Sequence, residues 1–250
     1  LDASTIQLYD KMQSDDELDM CVYAMLNPTE ENFDQYLKEG IVRKKSLIVR
    51  SIKLYADGAL GSRGACLINP YKDAPNEYGI LTITPEELGR YCVMAYDNGY
   101  QVNTHAIGDS AVRTVLNVYS NYLLPHNDLR WRIEHAQVVH PDDFRLFGEF
   151  SIIPSVQATH ATSDMRWAKY RLGDHRIRNA YAYKKLMDQN GWIPNGTDFP
   201  IENISPVFTF YAAVSRKELG GYPTGGFQKE NALTRQEALR SITYWAAKSC

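Results

Sequence analysis

A chain of 250 residues, 44% apolar and 23% charged, with 27 basic against 30 acidic side chains, suits one α/β barrel or two smaller domains. Its net charge of −3 gives no basic excess for nucleic acid or an anionic membrane surface, and no apolar run approaches the ~20 residues of a membrane span. Four scattered cysteines (Cys21, Cys66, Cys92, Cys250) form no C-x-x-C pair and read as free buried thiols rather than a disulfide framework.

The chain opens on Ser4-Thr5-Ile6-Gln7, which has capping-box form, with Ile6, Leu8, Tyr9 and Met12 on one helical face. Met20 to Met25 carries no charge and reads as a strand buried on both faces. Asn27-Pro28-Thr29 starts a second helix. Leu47 to Ala56 is the next strand, with Lys53 between Ile52 and Leu54. From Asp57 to Gly79 the pattern is a long Gly-rich loop, and loops of that length in compact domains are usually functional. Thr84-Pro85-Glu86-Glu87 caps a helix that stops at Gly99.

Tyr100 to Thr104 is strand-like and ends at His105, before a helix over Ser110 to Tyr122. Leu129 to His135 repeats the arrangement, with a helix from Pro141 to Phe150 behind it. Ser151 to Val156 is a strand leading into a loop with His160 and Asp164. Asp174 to Gln189 reads as helix, Trp192 to Asp198 as a last short strand, and Thr234-Arg235-Gln236-Glu237 caps a helix to Lys248. Strands alternating with helices imply βαβ units and a parallel sheet. The pattern contains six strands, with no linker that splits the chain.

Spacing then points to a site. An eight-unit barrel of about 250 residues allows about 31 residues per unit. His135 follows His105 by 30 residues, and Asp198 follows His135 by 63. Lys53 precedes His105 by 52, which is one unit plus the long loop. Lys53, His105, His135 and Asp198 thus fall at strand ends n, n+1, n+2 and n+4, where side chains converge on the catalytic face of a barrel. Neutral imidazoles and a carboxylate bind Zn²⁺ or similar ions. A lysine inside a sheet is costly unless its charge is removed or paired. The plainer alternative is a lysine paired with Asp198 and histidines satisfied by backbone.

At these residues the sequence resembles the amidohydrolase superfamily, in its YtcJ-like, amidohydrolase-3 branch. The matching stretches are Ile52 to Arg63, Thr104 to Asp109, Arg132 to Gln137, Ser155 to Asp164 and Gly196 to Pro200. The resemblance implies a TIM-type (β/α)8 barrel, here incomplete, with strands three to eight in one partial barrel domain over 1–250 and the family's β-sandwich domain absent. It implies hydrolysis of carbon–nitrogen bonds (amide, formamide or cyclic amide) by a water activated on one or two divalent metals, most simply zinc.

By the same resemblance Lys53 is the carboxylated lysine that bridges the metals, His105 and His135 are ligands of one of them, and Asp198 binds the other and shuttles the proton. His160 is then a candidate to hydrogen-bond the substrate carbonyl. Arg63 is a candidate clamp for an acidic substrate group, or else a partner of Asp57 or Glu77. Glu134 is expected on the opposite face of its strand from His135, paired with Arg132. Asp109 is expected to cap its helix.

The family's H-x-H pair is missing from this chain. The resemblance therefore implies an inactive or weakly active piece of a longer enzyme, holding one weakly bound ion or none. The partner expected is a small-molecule substrate, without nucleic acid or membrane, in a cytoplasmic setting, with a homodimer as an open alternative to a monomer. A non-catalytic binding or regulatory protein on a degenerate barrel is the competing reading.

Overall fold

The computed structural model describes residues 1–250 as one incomplete (β/α) barrel. Helix α1 (Ala3–Ser14) precedes β1 (Val22–Leu26). Short α2 (Glu30–Asn32), capped by the Thr29 hydroxyl, runs into a π turn over Phe33–Leu37. Strands β2 (Val42–Lys44) and β3 (Leu47–Tyr55) follow. Then come α3 (Pro85–Asp97), β4 (Gln101–Ala106), α4 (Asp109–Tyr119), β5 (Arg132–His135), α5 (Phe144–Glu149) and β6 (Ile153–Ser155). The remainder is helical: α6 (Ala158–Asp164), α7 (Ala168–Arg176), α8 (Tyr183–Asn190), α9 (Pro206–Ser215), α10 (Arg235–Ser241) and α11 (Tyr244–Lys248). No helix is long and apolar enough to cross a membrane.

The strands run in the order β1-β3-β4-β5-β6, all parallel. The central strands β4 and β5 are buried on both faces, as parallel sheets require, while β1 and β3 alternate buried with partly exposed residues. Six strands were expected and six form, but the sets differ. Short antiparallel β2 pairs Val42–Lys44 with Leu47–Val49, on the edge of β3 that β4 takes over from Ser51 onward. The stretch Trp192 to Asp198 is instead reduced to a single parallel bridge, Val156 to Asn195. Pro194 explains this, because it has no N–H for a ladder. The Val156 amide nonetheless reaches the Pro194 carbonyl at 3.1 Å, so the segment keeps its strand position.

Local chemistry sets the helix ends. Thr84 accepts from the Glu87 amide at 3.1 Å with Pro85 in the first turn, and Thr234 and Glu237 form a reciprocal capping box. The first helix departs from expectation: Asp2 precedes it, and no side chain caps it. The expected helices over 174–189 and 234–248 are each broken in two. The first ends at Arg176 and resumes at Tyr183 after a 3-10 turn and left-handed Tyr181 (φ 54°); the second breaks at Thr243. The core centres on Tyr100, Tyr119 and Trp131, with the Trp131 indole N–H donating to the Tyr100 carbonyl at 3.1 Å. All four cysteines are free; Cys92 is buried, but Cys21 is exposed, against expectation.

Candidate metal centre

The register of the sheet decides which side chains meet. Lys53 pairs with Asn103, and Tyr55 with His105, so Lys53 sits two residues below His105 on the same face. His105 pairs with Glu134, which puts Glu134 on that face too, while His135 pairs with Ala106. Strict alternation would send His135 to the outside. It does not go there, because His135 (φ 74°) and Ala136 (φ 41°) are left-handed and turn the chain at the strand end. Glu134 and His135 therefore both serve the interior, and the expected opposition of their faces is corrected. Asp198 (φ 57°) is likewise left-handed. Two of the candidate ligands thus occupy backbone conformations that cost of order 1 kcal/mol or more, a mark of functional sites.

His135, His160 and Asp198 each present one ligand atom, and all three atoms lie within 4.8 Å of one another. The His135 and His160 rings stack at 5.8 Å, and His160 Nε2 approaches Asp198 Oδ2 to 3.6 Å. The His105 ring meets that of His135 edge-on at 4.6 Å, and its Nε2 lies 3.6 Å from Asp57 Oδ1. His160 is not on a loop. It lies one turn into α6 and is buried, and reading 157–164 as loop hid its place among the ligands. The sequence signal was available: His160 and Asp164 are one helical turn apart and share a face.

Electrostatics suits a cation. Burial, with His135 alongside, holds the His160 imidazolium down at about 4. Burial, His135 and Lys53 hold that of His105 at about 3, and burial lowers His135 as well. All three rings are therefore neutral at pH 7, the state that ligates. The Nε2 atoms of His105 and His160 are buried without a hydrogen-bond partner, which is costly unless something else takes those lone pairs. His135 Nδ1 is held by Gln157 Oε1 at 2.8 Å, a partner that fixes the ring and leaves Nε2 to ligate. The donor set fits a divalent ion.

Lys53 lines the same cleft but forms no ion pair with Asp198. Its Nζ donates to the Leu54 carbonyl at 3.3 Å and sits 4.0 Å over the Tyr55 ring. Burial pushes its pKa down to about 8, against the pull of Glu134 and Asp198. Glu134 pairs with Arg132 at 2.9 Å, as expected. Burial would raise the Glu134 carboxyl, but Arg132 and Lys53 outweigh it and hold the group below its ordinary range.

The wall of the cleft is the Asp57–Gly79 loop, and it is bound in place. The Asp57 carboxylate accepts from the amides of Cys66, Ile107 and Gly108 at 2.9, 2.9 and 2.8 Å. Asp109 does not cap α4 but accepts from the Ile68 amide at 2.9 Å. From α7, Arg171 donates to the Gly61 carbonyl, and Arg176 donates to the carbonyls of Asn69 and Pro70. Arg63 lies outside the cleft lining. Its guanidinium is engaged by Asp73 at 3.0 Å, rather than by Asp57 or Glu77.

The segment that leads to Asp198 is anchored at Asn195, three residues before it. The Asn195 side chain accepts from the Ala158 amide at 2.9 Å, its Nδ2 reaches Ser241 Oγ at 3.4 Å, and its amide donates to the Ser241 carbonyl at 3.0 Å. This one residue joins the His160 helix, the Asp198 turn and α10. The resulting cleft of ≈ 520 Å³ is walled by Tyr55, Leu60, Ile107, Trp167 and Ile201.

Comparisons with known proteins find relatives of this chain. The Amidohydro_3 profile, described as the amidohydrolase family, matches residues 3–250. Protein LONG AFTER FAR-RED 3 of Arabidopsis thaliana is 33% identical over 199 residues, covering 78% of this chain and 34% of that protein. The putative amidohydrolase YtcJ of Bacillus subtilis is 34% identical over 197 residues, covering 79% and 37%. An uncharacterized metal-dependent hydrolase from Pyrococcus horikoshii superimposes with a TM-score of 0.88 at 31% identity, over 99% of this chain and 50% of that one. The match thus spans roughly a third of the curated relatives and half of the solved structure.

Proposed function

The chain belongs to the amidohydrolase family, and from that premise we propose that it carries the metal centre of a hydrolase that cleaves carbon–nitrogen bonds of amides, formamides or cyclic amides. The observation that carries the proposal is the convergence of His135, His160 and Asp198 within 4.8 Å at the carboxyl ends of the strands. In this reading those three residues, with His105 and Lys53, hold zinc. Lys53, a buried amine without an ion-pair partner, is the group that takes up CO₂ to become an anionic ligand.

A divalent ion held there would supply Lewis acidity and make water a stronger acid at neutral pH. The side chains do the rest. Asp198 Oδ2 receives the proton of the attacking water and passes it to the departing nitrogen. Burial raises the Asp198 carboxyl, although His135 and Lys53 oppose this, which makes the carboxylate a better base. Gln157 fixes the His135 ring. Tyr55, Leu60, Ile107 and Trp167 exclude bulk water from the carbonyl and its leaving group.

The test is metal analysis of the full-length protein with hydrolysis assayed on simple amides and formamides. The reading expects bound zinc and turnover, and it expects Asp198→Asn to cut kcat at least a hundredfold with the metal retained in part. A protein that binds no divalent ion, or that hydrolyses equally well without one, would refute it.

A further inference from the structure

Beyond the metal ligands, the cleft is charged in one sense only. Its remaining polar lining residues are Gln137, Asp164 and Glu202, with Trp167 between them and the Gly61 backbone. Apart from Lys53, whose charge the hydrolase reading removes by carboxylation, no free cation stands opposite. Arg63 and Arg171 are both committed to Asp73, and Arg166 to Glu218.

Asp164 is held with care. The Tyr181 hydroxyl (2.8 Å) and Gln137 Nε2 (3.2 Å) both donate to its Oδ2, and Gln137 Nε2 also donates to the Tyr181 hydroxyl at 2.7 Å. Asp164 lies one turn along α6 from His160, on the same face. His160 is itself more than nine-tenths buried, with its Nε2 unpartnered and directed into the same cleft. Glu202 stands at the rim, fixed by the Ser163 hydroxyl at 2.6 Å. Burial pushes the Asp164 carboxyl up to about 6, so the fold keeps an ionised group here at a cost.

We infer that Asp164, with Glu202 at the rim and Trp167 as an apolar wall, forms a subsite for a cationic or strongly hydrogen-bond-donating group on the substrate, about one helical turn from the scissile carbonyl. The substrate class is then an acylated diamine or a comparable amide with an ammonium or guanidinium tail. An acidic substrate, which Arg63 would have clamped, has no counter-charge in this cleft once Lys53 is carboxylated. The inference deepens the hydrolase reading and rests on it for the position of the carbonyl. Charge-assisted hydrogen bonding to a fixed carboxylate, and an ammonium against an indole face, are the attractive elements.

Two matched probes test it: N-acetylputrescine and N-acetylpentylamine, in which a methyl replaces the ammonium. Their spacer roughly matches the ~6 Å between side chains four apart on a helix. Calorimetric Kd values are measured on the metal-loaded full-length protein, with hydrolysis followed separately. The cationic probe is expected to bind about tenfold more tightly than its neutral match, the size of one charge-assisted hydrogen bond. Asp164→Asn should reduce that preference to about twofold, and Glu202→Gln, at the exposed rim, to about three- to fourfold. A wild-type preference within twofold, or a tenfold preference that survives Asp164→Asn, overturns the subsite. Should Asp164→Asn fail to fold, an undiminished preference in Glu202→Gln overturns the rim assignment, and a diminished one supports it. A strong cation preference without any amide hydrolysis would overturn the hydrolase reading and leave the subsite standing.

Discussion

Replacing Asn195 by alanine tests how the site is held. The side chain is buried, and its Oδ1 is the acceptor for the first amide of α6. Removing it leaves the Ala158 N–H without a partner in a dry position, which costs about 1–3 kcal/mol. The space vacated by the carboxamide adds on the order of 1 kcal/mol. The Nδ2 contact to Ser241 Oγ, at 3.4 Å, is near the limit of a hydrogen bond and adds little. The total, about 2–4 kcal/mol, corresponds to a fall in Tm of roughly 5–12 °C for a chain of this size. Because α6 carries His160 and the next turn carries Asp198, divalent-ion affinity should drop as well, by at least tenfold. Thermal unfolding and metal titration of Asn195→Ala and Ser241→Ala provide the measurement, the second variant losing only the weak contact. If Ser241→Ala is as damaging as Asn195→Ala, or if Asn195→Ala unfolds normally and binds metal normally, the assignment of Oδ1 as the mooring atom is wrong.

Other expectations follow from single residues. The folded protein holds the Asp164 proton more tightly than the unfolded chain, so ionisation opposes folding. That cost is absent below the ordinary value of 3.8, grows as pH rises to about 6 and is complete above it. Asp164→Asn keeps an acceptor for Tyr181 and Gln137. It should be more stable than wild type by about 2 kcal/mol at pH 7.5, after allowing for partial exposure, and no more stable at pH 4; urea titrations at the two pH values decide this. Gly79 has φ +78°, and a Cβ there would lie 2.0 Å from the Ala65 carbonyl oxygen. Gly79→Ala should therefore displace the loop and cost at least about 2 kcal/mol; a variant with wild-type unfolding would contradict the close approach. His160→Ala should weaken zinc binding by two orders of magnitude or more in equilibrium dialysis, whereas a residue that only touched substrate would leave metal affinity unchanged.

Much of the barrel was legible because its strands are short, largely apolar runs that alternate with helices marked by capping signals. Thr84 and Thr234 behave as their sequences require. The strand positions of Lys53, His105 and His135 were legible from the strand pattern together with their spacing, once the long loop after Lys53 is allowed for. Three things were not. Alternation along β5 predicted opposite faces for Glu134 and His135, and nothing in the residue types announces the left-handed turn that brings both inward. His160 was misplaced because Gln157 to Asp164 lacks the apolar periodicity of a surface helix; it is buried over most of its length. The segment around Asn195 reads as a strand yet forms a single bridge, since Pro194 removes a donor and the bonds of Asn195 to the Ala158 amide and the Ser241 carbonyl substitute for the ladder. In each case tertiary contacts, which a local pattern does not encode, set the geometry.

The long loop between β3 and α3 looks, by length, like a flap. Its attachment through Asp57 to the Ile107 and Gly108 amides, and to Asp109, Arg171 and Arg176, makes it masonry instead. A ligand arriving at this mouth meets a contour that is already cut, so selection rests on shape and charge at first encounter rather than on a closing movement. Small-molecule fragments soaked into the empty protein should accordingly report the same contour that a true substrate finds.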